Sequence, residues 1–143
     1  MVAALSLSSG MAQTTSTPKV GDTAPLVEGK NQDGNAWKLA DNVGKKVVLL
    51  YFYPKDDTKG CTKEACGLRD RMSDLAKDNV EVVGVSFDSS ESHQAFISKY
   101  SLNFSLLADT DGKIADAYGV RMTGKNMARR VSFLIGLDGK LRT

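Results

Sequence analysis

The chain has 143 residues and a net charge of +2, and charged and hydrophobic residues make up 25% and 41% of it. This length and balance predict one globular domain with a sizeable core. The basic residues are scattered and give no stripe for nucleic acid, and no apolar run of about 18 residues indicates a membrane span.

Residues 1–18 are rich in Ser, Thr and Ala, and we expect them to be a flexible tail or the remnant of a signal peptide. Gly10-Met11-Ala12 fits a small-x-small cleavage site, although no basic region precedes it and the apolar part is short. The signal reading would place the protein in the periplasm, and the other reading in the cytoplasm. The folded domain is expected over residues 19–143.

The first elements are a hairpin, a buried strand and a helix. Asp33-Gly34 is a turn signal between Leu26-Val27 and residues 37–39, which predicts a hairpin within 20–39. Residues 47–53 are continuously apolar and β-prone, as expected of a central strand covered on both faces. Apolar residues recur at helical spacing over 61–77, which predicts an amphipathic helix.

The second half of the chain continues the alternation of strands and helices. We predict a strand at 80–87, a helix at 90–100 with Ala95, Phe96 and Tyr100 on one face, a strand at 104–107, a short helix at 113–118, and a hairpin from 131–137 through Asp138-Gly139 to Lys140. This order predicts an α/β thioredoxin-like fold with a central mixed sheet flanked by helices, because the first βαβ unit is parallel and the late hairpin antiparallel. The chain stops at Thr143 as its last strand begins, from which we expect a truncated C-terminal end or a sheet face covered by a partner.

Both cysteines lie within residues 53–66, directly after the predicted central strand. Two cysteines are too few for a disulfide framework, so the pair is either reactive or incidental. Cys61 falls in the first helical turn, where unpaired N–H groups and the macrodipole favour a thiolate, the nucleophilic form. Gly60 allows the backbone to approach a small ligand, Thr58 offers a hydroxyl, and Pro54 is suited to shielding the pocket from water.

Taken singly, these residues have ordinary structural explanations. Cys61 could be an inert buried thiol, Pro54 could end the strand, and Thr58 could be a turn residue. The joint pattern Pro-x3-Thr-x2-Cys between an apolar strand and a helix is far less frequent by chance, and it indicates a reactive site.

At these residues the chain resembles the peroxiredoxins, specifically the bacterioferritin comigratory protein or peroxiredoxin Q branch. The resemblance covers about residues 19–143, and the cysteine motif is its most specific part. It rests on Phe52-Tyr53-Pro54, Thr58, Gly60-Cys61-Thr62, residues 65–70, residues 103–109, Tyr118-Gly119-Val120 and residues 130–135.

The resemblance implies a thiol peroxidase that reduces hydrogen peroxide and organic hydroperoxides for antioxidant defence. Cys61 would be the peroxidatic cysteine, which becomes a sulfenic acid. Thr58 and the amides near Gly60 and Cys61 would hold the peroxide oxygens. Arg130 matches the arginine that polarises the peroxide and stabilises the thiolate, and Glu64 matches the position that orients it. Without the motif, both would read as solvated surface charges.

The resemblance also implies how the enzyme is recycled. Cys66 matches the resolving cysteine of members with five-residue spacing, which forms an intramolecular disulfide that thioredoxin or a similar dithiol reopens. A packed helix cysteine is the alternative. No metal or other cofactor, nucleic-acid partner or membrane is implied, and we expect a monomer. His93, the only histidine, lies in a polar region, and we interpret it as a surface residue.

Two other functions fit the predicted fold. A thioredoxin-like thiol–disulfide oxidoreductase would use Cys-x2-Cys, and a copper-binding chaperone would use Cys-x3-Cys with a distant histidine. The spacing here is Cys-x4-Cys, which argues against both. Relatives continue through a further strand and helix, so the resemblance is weakest as a guide to stability and oligomeric state.

Overall fold

The computed structural model describes residues 17–143, so the expected tail lies outside the described residues apart from Thr17 and Pro18. The helices and strands, in chain order, are β1 (Glu28–Lys30), β2 (Ala36–Lys38), a 3-10 turn (Leu39–Asp41), β3 (Val47–Phe52), α1 (Lys59–Lys77), β4 (Val80–Ser86), α2 (Ser90–Tyr100), β5 (Ser105–Ala108), α3 (Lys113–Ala117) and β6 (Val131–Ile135). None of the described helices is long and apolar enough to cross a bilayer.

The predicted N-terminal hairpin is confirmed. β1 pairs antiparallel with β2, with Gly29 opposite Trp37. Gly34 has a φ of 77°, which explains why the turn needs a glycine. The first strand begins slightly later than predicted, since Leu26 precedes it and is 65% exposed.

The main sheet has the strand order β5-β4-β3-β6. β4 is parallel to both β3 and β5, whereas β6 runs antiparallel to β3. The predicted mixed sheet flanked by helices is therefore confirmed. In the β3–β6 register Phe52 faces Val131, so the start of β6 lies beside the end of β3, where the chain turns towards α1.

Alternation along β3 divides the core between the two faces of the sheet. Leu50 and Phe52 belong to one apolar cluster, in which Phe52 packs edge-on against Phe133 at 5.8 Å between ring centroids. Tyr51 and Tyr53 belong to the other cluster, on the opposite face, as expected when successive side chains point to opposite sides. Cys61 lies in this second cluster and is 1% exposed.

The interpretation of His93 as a surface residue is wrong. His93 is fully buried, and it shares the inner face of α2 with Phe96 and the half-buried Tyr100. These residues are three and seven positions apart, which is the spacing of one helix face. Ala95, predicted for that face, is exposed instead.

The predicted C-terminal hairpin is confirmed in outline. The amide of Gly136 donates to the carbonyl of Lys140 across the predicted turn, and Gly139 has a φ of 77°. Its second strand is reduced to an isolated antiparallel bridge between Ile135 and Leu141.

Candidate active site

Cys61 is the third residue of α1, within the predicted first helical turn. The residue before the helix, Thr58, has extended backbone angles, and its carbonyl accepts a hydrogen bond from the amide of Thr62 at 2.8 Å. The amides at this helix start have no partner within the helix and carry its positive dipole end. The thiol of Cys61 thus lies buried where a negative charge is favoured.

Arg130 contacts the buried thiol directly. Its Nη2 lies 3.2 Å from Cys61 Sγ, and its Nη1 lies 2.9 Å from Glu64 Oε1. Partial burial acts to lower the pKa of Arg130, but the hydrogen bond to Cys61 and the negative charges of Cys61 and Glu64 outweigh it and raise that pKa. The guanidinium therefore stays charged and can stabilise a thiolate.

Glu64 and Gly60 fix the position of this guanidinium. Glu64 lies one helical turn after Cys61, and its carboxylate accepts from Arg130. Burial raises the pKa of Glu64 despite the opposing charge of Arg130. A Cβ at Gly60 would lie 3.2 Å from Arg130 Nη2, so the glycine makes room for the close approach of the arginine. The structure thus brings together four of the predicted site residues.

The other predicted residues lie around this centre. Pro54 is half-buried just beyond β3. The Thr58 hydroxyl is exposed and donates to the carbonyl of Lys55 at 3.2 Å, and it makes no other hydrogen bond among the described residues. Cys66 is half-buried, and both thiols are free on one uninterrupted helix.

Tyr51 adds a polar group that the sequence reading missed. Its hydroxyl is the one buried side-chain oxygen or nitrogen without a hydrogen-bond partner among the described residues. Burial raises the pKa of Tyr51 well above its usual value, and the negative charge of Glu64 adds to this effect. The phenol thus stays neutral, in the same apolar cluster as Cys61.

The sequence reading also missed a buried polar network around Asp56, in the segment between β3 and α1. Asp56 accepts hydrogen bonds from the hydroxyls of Tyr53 at 2.5 Å and Ser92 at 2.8 Å, and its Oδ2 lies 2.7 Å from His93 Nδ1. His93 Nε2 lies 2.8 Å from the carbonyl oxygen of Leu107. The spacing of His93 from Phe96 and Tyr100 on α2 is the sequence signal that could have revealed its burial.

Asp56, Asp88 and His93 also place potential metal-ligand atoms within 4.8 Å of one another. Hydrogen bonds account for this grouping, since both His93 ring nitrogens are engaged and Asp88 Oδ2 accepts from the Asp56 amide and the Ser86 hydroxyl. Neither cysteine belongs to the group. The copper-binding alternative requires a histidine beside the cysteines, and His93 is grouped with Asp56 and Asp88 instead.

Comparison with known proteins identifies one family over nearly all of the described chain. The AhpC/TSA family matches residues 20–143. The putative peroxiredoxin bcp of Coxiella burnetii is 48% identical over 128 residues, which cover 85% of this chain and 83% of that protein. Peroxiredoxin Bcp of Escherichia coli K12 is 45% identical over 129 residues, with 86% and 82% covered.

Solved structures agree with these relatives. Peroxidoxin BcpB from Mycobacterium tuberculosis is 35% identical with a TM-score of 0.80, covering 86% of this chain and 82% of its own. A PrxQ mutant from Xylella fastidiosa is 29% identical with a TM-score of 0.82, covering 90% and 85%.

Proposed function

The chain belongs to the AhpC/TSA family and is a peroxiredoxin, a thiol-dependent peroxidase, in which we propose that Cys61 attacks the peroxide. The observation that carries this assignment is the 3.2 Å contact between Arg130 Nη2 and the buried Cys61 Sγ at the start of α1. A fixed positive charge and the helix start both favour the thiolate that the reaction needs.

In the first step the Cys61 thiolate attacks one peroxide oxygen and the O–O bond breaks. The sulfur is oxidised to a sulfenic acid, and the other oxygen leaves with a proton as water or an alcohol. Arg130 stabilises the thiolate beforehand and the negative charge on the leaving oxygen afterwards. Glu64 holds the guanidinium in place for both.

Substrate binding is proposed for the start of α1. The amides near Gly60 and Cys61 and the hydroxyl of Thr58 hold the peroxide oxygens, with Pro54 shielding them from water. In this role a peroxide oxygen competes with the carbonyl of Lys55 for the Thr58 hydroxyl, because that carbonyl accepts its hydrogen bond here.

In the second step Cys66 is the resolving thiol. Its sulfur attacks the sulfenic sulfur of Cys61, the S–O bond breaks, water leaves and an intramolecular disulfide forms. The family implies a thioredoxin-like reductant, whose two thiols reopen the disulfide and are oxidised in turn. Each of these steps uses residues of a single chain, Cys61, Cys66 and Arg130, and we propose a monomer whose domain spans residues 19–143.

The test is peroxide consumption with thioredoxin, thioredoxin reductase and NADPH. Cys61→Ser should abolish it, because no other described thiol lies against Arg130. Cys66→Ser is the matched control: it should also lose the coupled turnover, but without the reductant it should still react once with peroxide at a normal rate, which Cys61→Ser should not. Undiminished turnover by Cys61→Ser would overturn the assignment.

A further inference from the structure

One buried carboxylate, that of Asp56, anchors the segment between β3 and α1 to the rest of the fold. Asp56 is 7% exposed and accepts hydrogen bonds from Tyr53 on one side and from Ser92 on α2 on the other. Its own amide donates to Asp88 Oδ2 at 2.8 Å. Such a buried carboxylate is tolerated only when its oxygens are fully bonded.

His93 supplies the remaining bond to Asp56, and its other ring nitrogen is held by the carbonyl of Leu107. The carbonyl of Leu107 can only accept, so His93 Nε2 carries a proton. Two hydroxyls also donate to Asp56, so its oxygens act as acceptors from Tyr53 and Ser92. The 2.7 Å contact between His93 Nδ1 and Asp56 Oδ2 forms a buried Asp56–His93 pair, which ties the segment to α2 and, through Leu107, to β5.

The tethered segment, residues 54–58, contains residues that we propose shield or bind the peroxide. Pro54 lies two positions before Asp56, and Thr58 lies two positions after it, directly before α1. Asp57 between them has a φ of 59°, and it accepts on the protein surface from Lys99 and Tyr100 at the other end of α2. Consecutive residues of this turn are thus bonded to both ends of α2.

We propose that His93 is a positioning residue for the peroxidase reaction, acting through Asp56 to hold residues 54–58 and the first turn of α1 in the reactive arrangement. The inference rests on the proposed role of Cys61. His93 contacts neither Cys61 nor Arg130 by a hydrogen bond, so it acts only through the segment that it anchors.

Two rates should change in opposite directions when the pair is lost. Reaction with peroxide needs residues 54–58 and the helix start in place, and their displacement slows it. Disulfide formation needs the same helix turn to open, and a weaker anchor makes that opening easier. A purely structural role would lower stability without separating the two steps.

The experiment measures both steps in His93→Leu and Asp56→Ala. The peroxide rate constant comes from competition with catalase. The lifetime of the sulfenic acid comes from quenching with dimedone, followed by mass spectrometry. We expect the peroxide rate constant to fall by about 10- to 100-fold, because a misplacement of about 1 Å can cost about 100-fold in rate. The dimedone-reactive species should convert to disulfide several-fold faster. His93→Gln keeps a donor towards Asp56 and should restore both rates towards wild type.

Asp109→Asn is the matched control for loss of a buried carboxylate. Asp109 is 3% exposed and its carboxylate accepts from the amides of Ile114 and Ala115, not from residues 54–58 or His93. Urea unfolding should show lower stability in this variant with both rates unchanged. Should the two main variants fail to fold, Ser92→Ala removes one donor to Asp56 and should shift both rates in the same directions by a smaller factor.

Unchanged rates in the folded variants, or rates that fall together, would overturn the positioning role. If the two rates do not shift in opposite directions in these variants, while Cys61→Ser is inactive, only the positioning role of His93 is refuted. Full peroxide turnover in Cys61→Ser would instead refute the proposed function beneath it.

Discussion

Oxidation of the two cysteines should unwind the start of α1. In an α-helix, five residues rise about 7.5 Å and turn about 140°, which places their Cα atoms about 8.6 Å apart. A disulfide allows at most about 7 Å between Cα atoms. Cys61 and Cys66 are free thiols within one helix, Lys59–Lys77, so they cannot join without breaking it.

The structure indicates which bonds are lost. Opening the helix through Cys66 removes the bond from the Thr62 amide to the Thr58 carbonyl, together with the acceptors of the amides at 63–70. It also separates Cys61 from Arg130. The amides at 71–77 have acceptors beyond the opened turn and should stay protected.

The assay is amide hydrogen exchange with mass spectrometry on the reduced and the peroxide-treated protein. Exchange should quicken over residues 62–70 on disulfide formation and stay constant over 71–77. Peroxide-treated Cys66→Ser is the control, since it cannot form the bond and should keep its protection. Equal protection at 62–70 in the reduced and disulfide-bonded forms would refute the reasoning.

Further tests address Arg130, Glu64 and Cys66. Arg130→Ala should slow the reaction with peroxide by about 100-fold, because it removes a charged donor aimed at developing negative charge; an unchanged second-order rate constant, from stopped-flow mixing, would mean that the arginine has another role. Burial raises the pKa of Glu64 above its ordinary value of 4.5, so the folded state binds this proton more tightly and wild type loses stability as the pH rises through the raised pKa. Glu64→Gln cannot ionise and should not lose stability in this way. In urea unfolding, the stability of Glu64→Gln relative to wild type should therefore increase as the pH rises above 4.5, and a stability difference that does not change with pH would argue against the burial effect. Cys66→Ser should accumulate sulfenic or over-oxidised Cys61 and lose thioredoxin-coupled turnover, as seen by mass spectrometry and NADPH consumption; normal recycling would exclude the resolving role.

Local sequence patterns were enough to predict the main architecture. The continuous apolar run of β3 and the helical spacing of α1 depend on burial alone, so their limits match the structure within a few residues. The glycine turn of the first hairpin is equally local. These elements in this order leave few arrangements besides the observed mixed sheet.

The site could be predicted only where a residue acts through its local position or through the family resemblance. Cys61 at a helix start follows from the sequence, whereas its contact with Arg130 joins positions 69 apart. His93 was misassigned because a polar side chain looks solvated until its partners are known. Those partners, Asp56 and the carbonyl of Leu107, are brought to it only by the tertiary fold.

The pairing of β6 with β3 determines when, during folding, Cys61 becomes reactive. β3, α1 and β4 are neighbours in sequence, so their contacts close short loops, whereas Arg130 reaches Cys61 only when β6 pairs beside β3. A nascent chain that has completed the helix but not yet docked β6 carries Cys61 without its guanidinium. In incompletely folded chains Cys61 should therefore react slowly with peroxide. Its fast reaction should begin only once β6 has paired with β3.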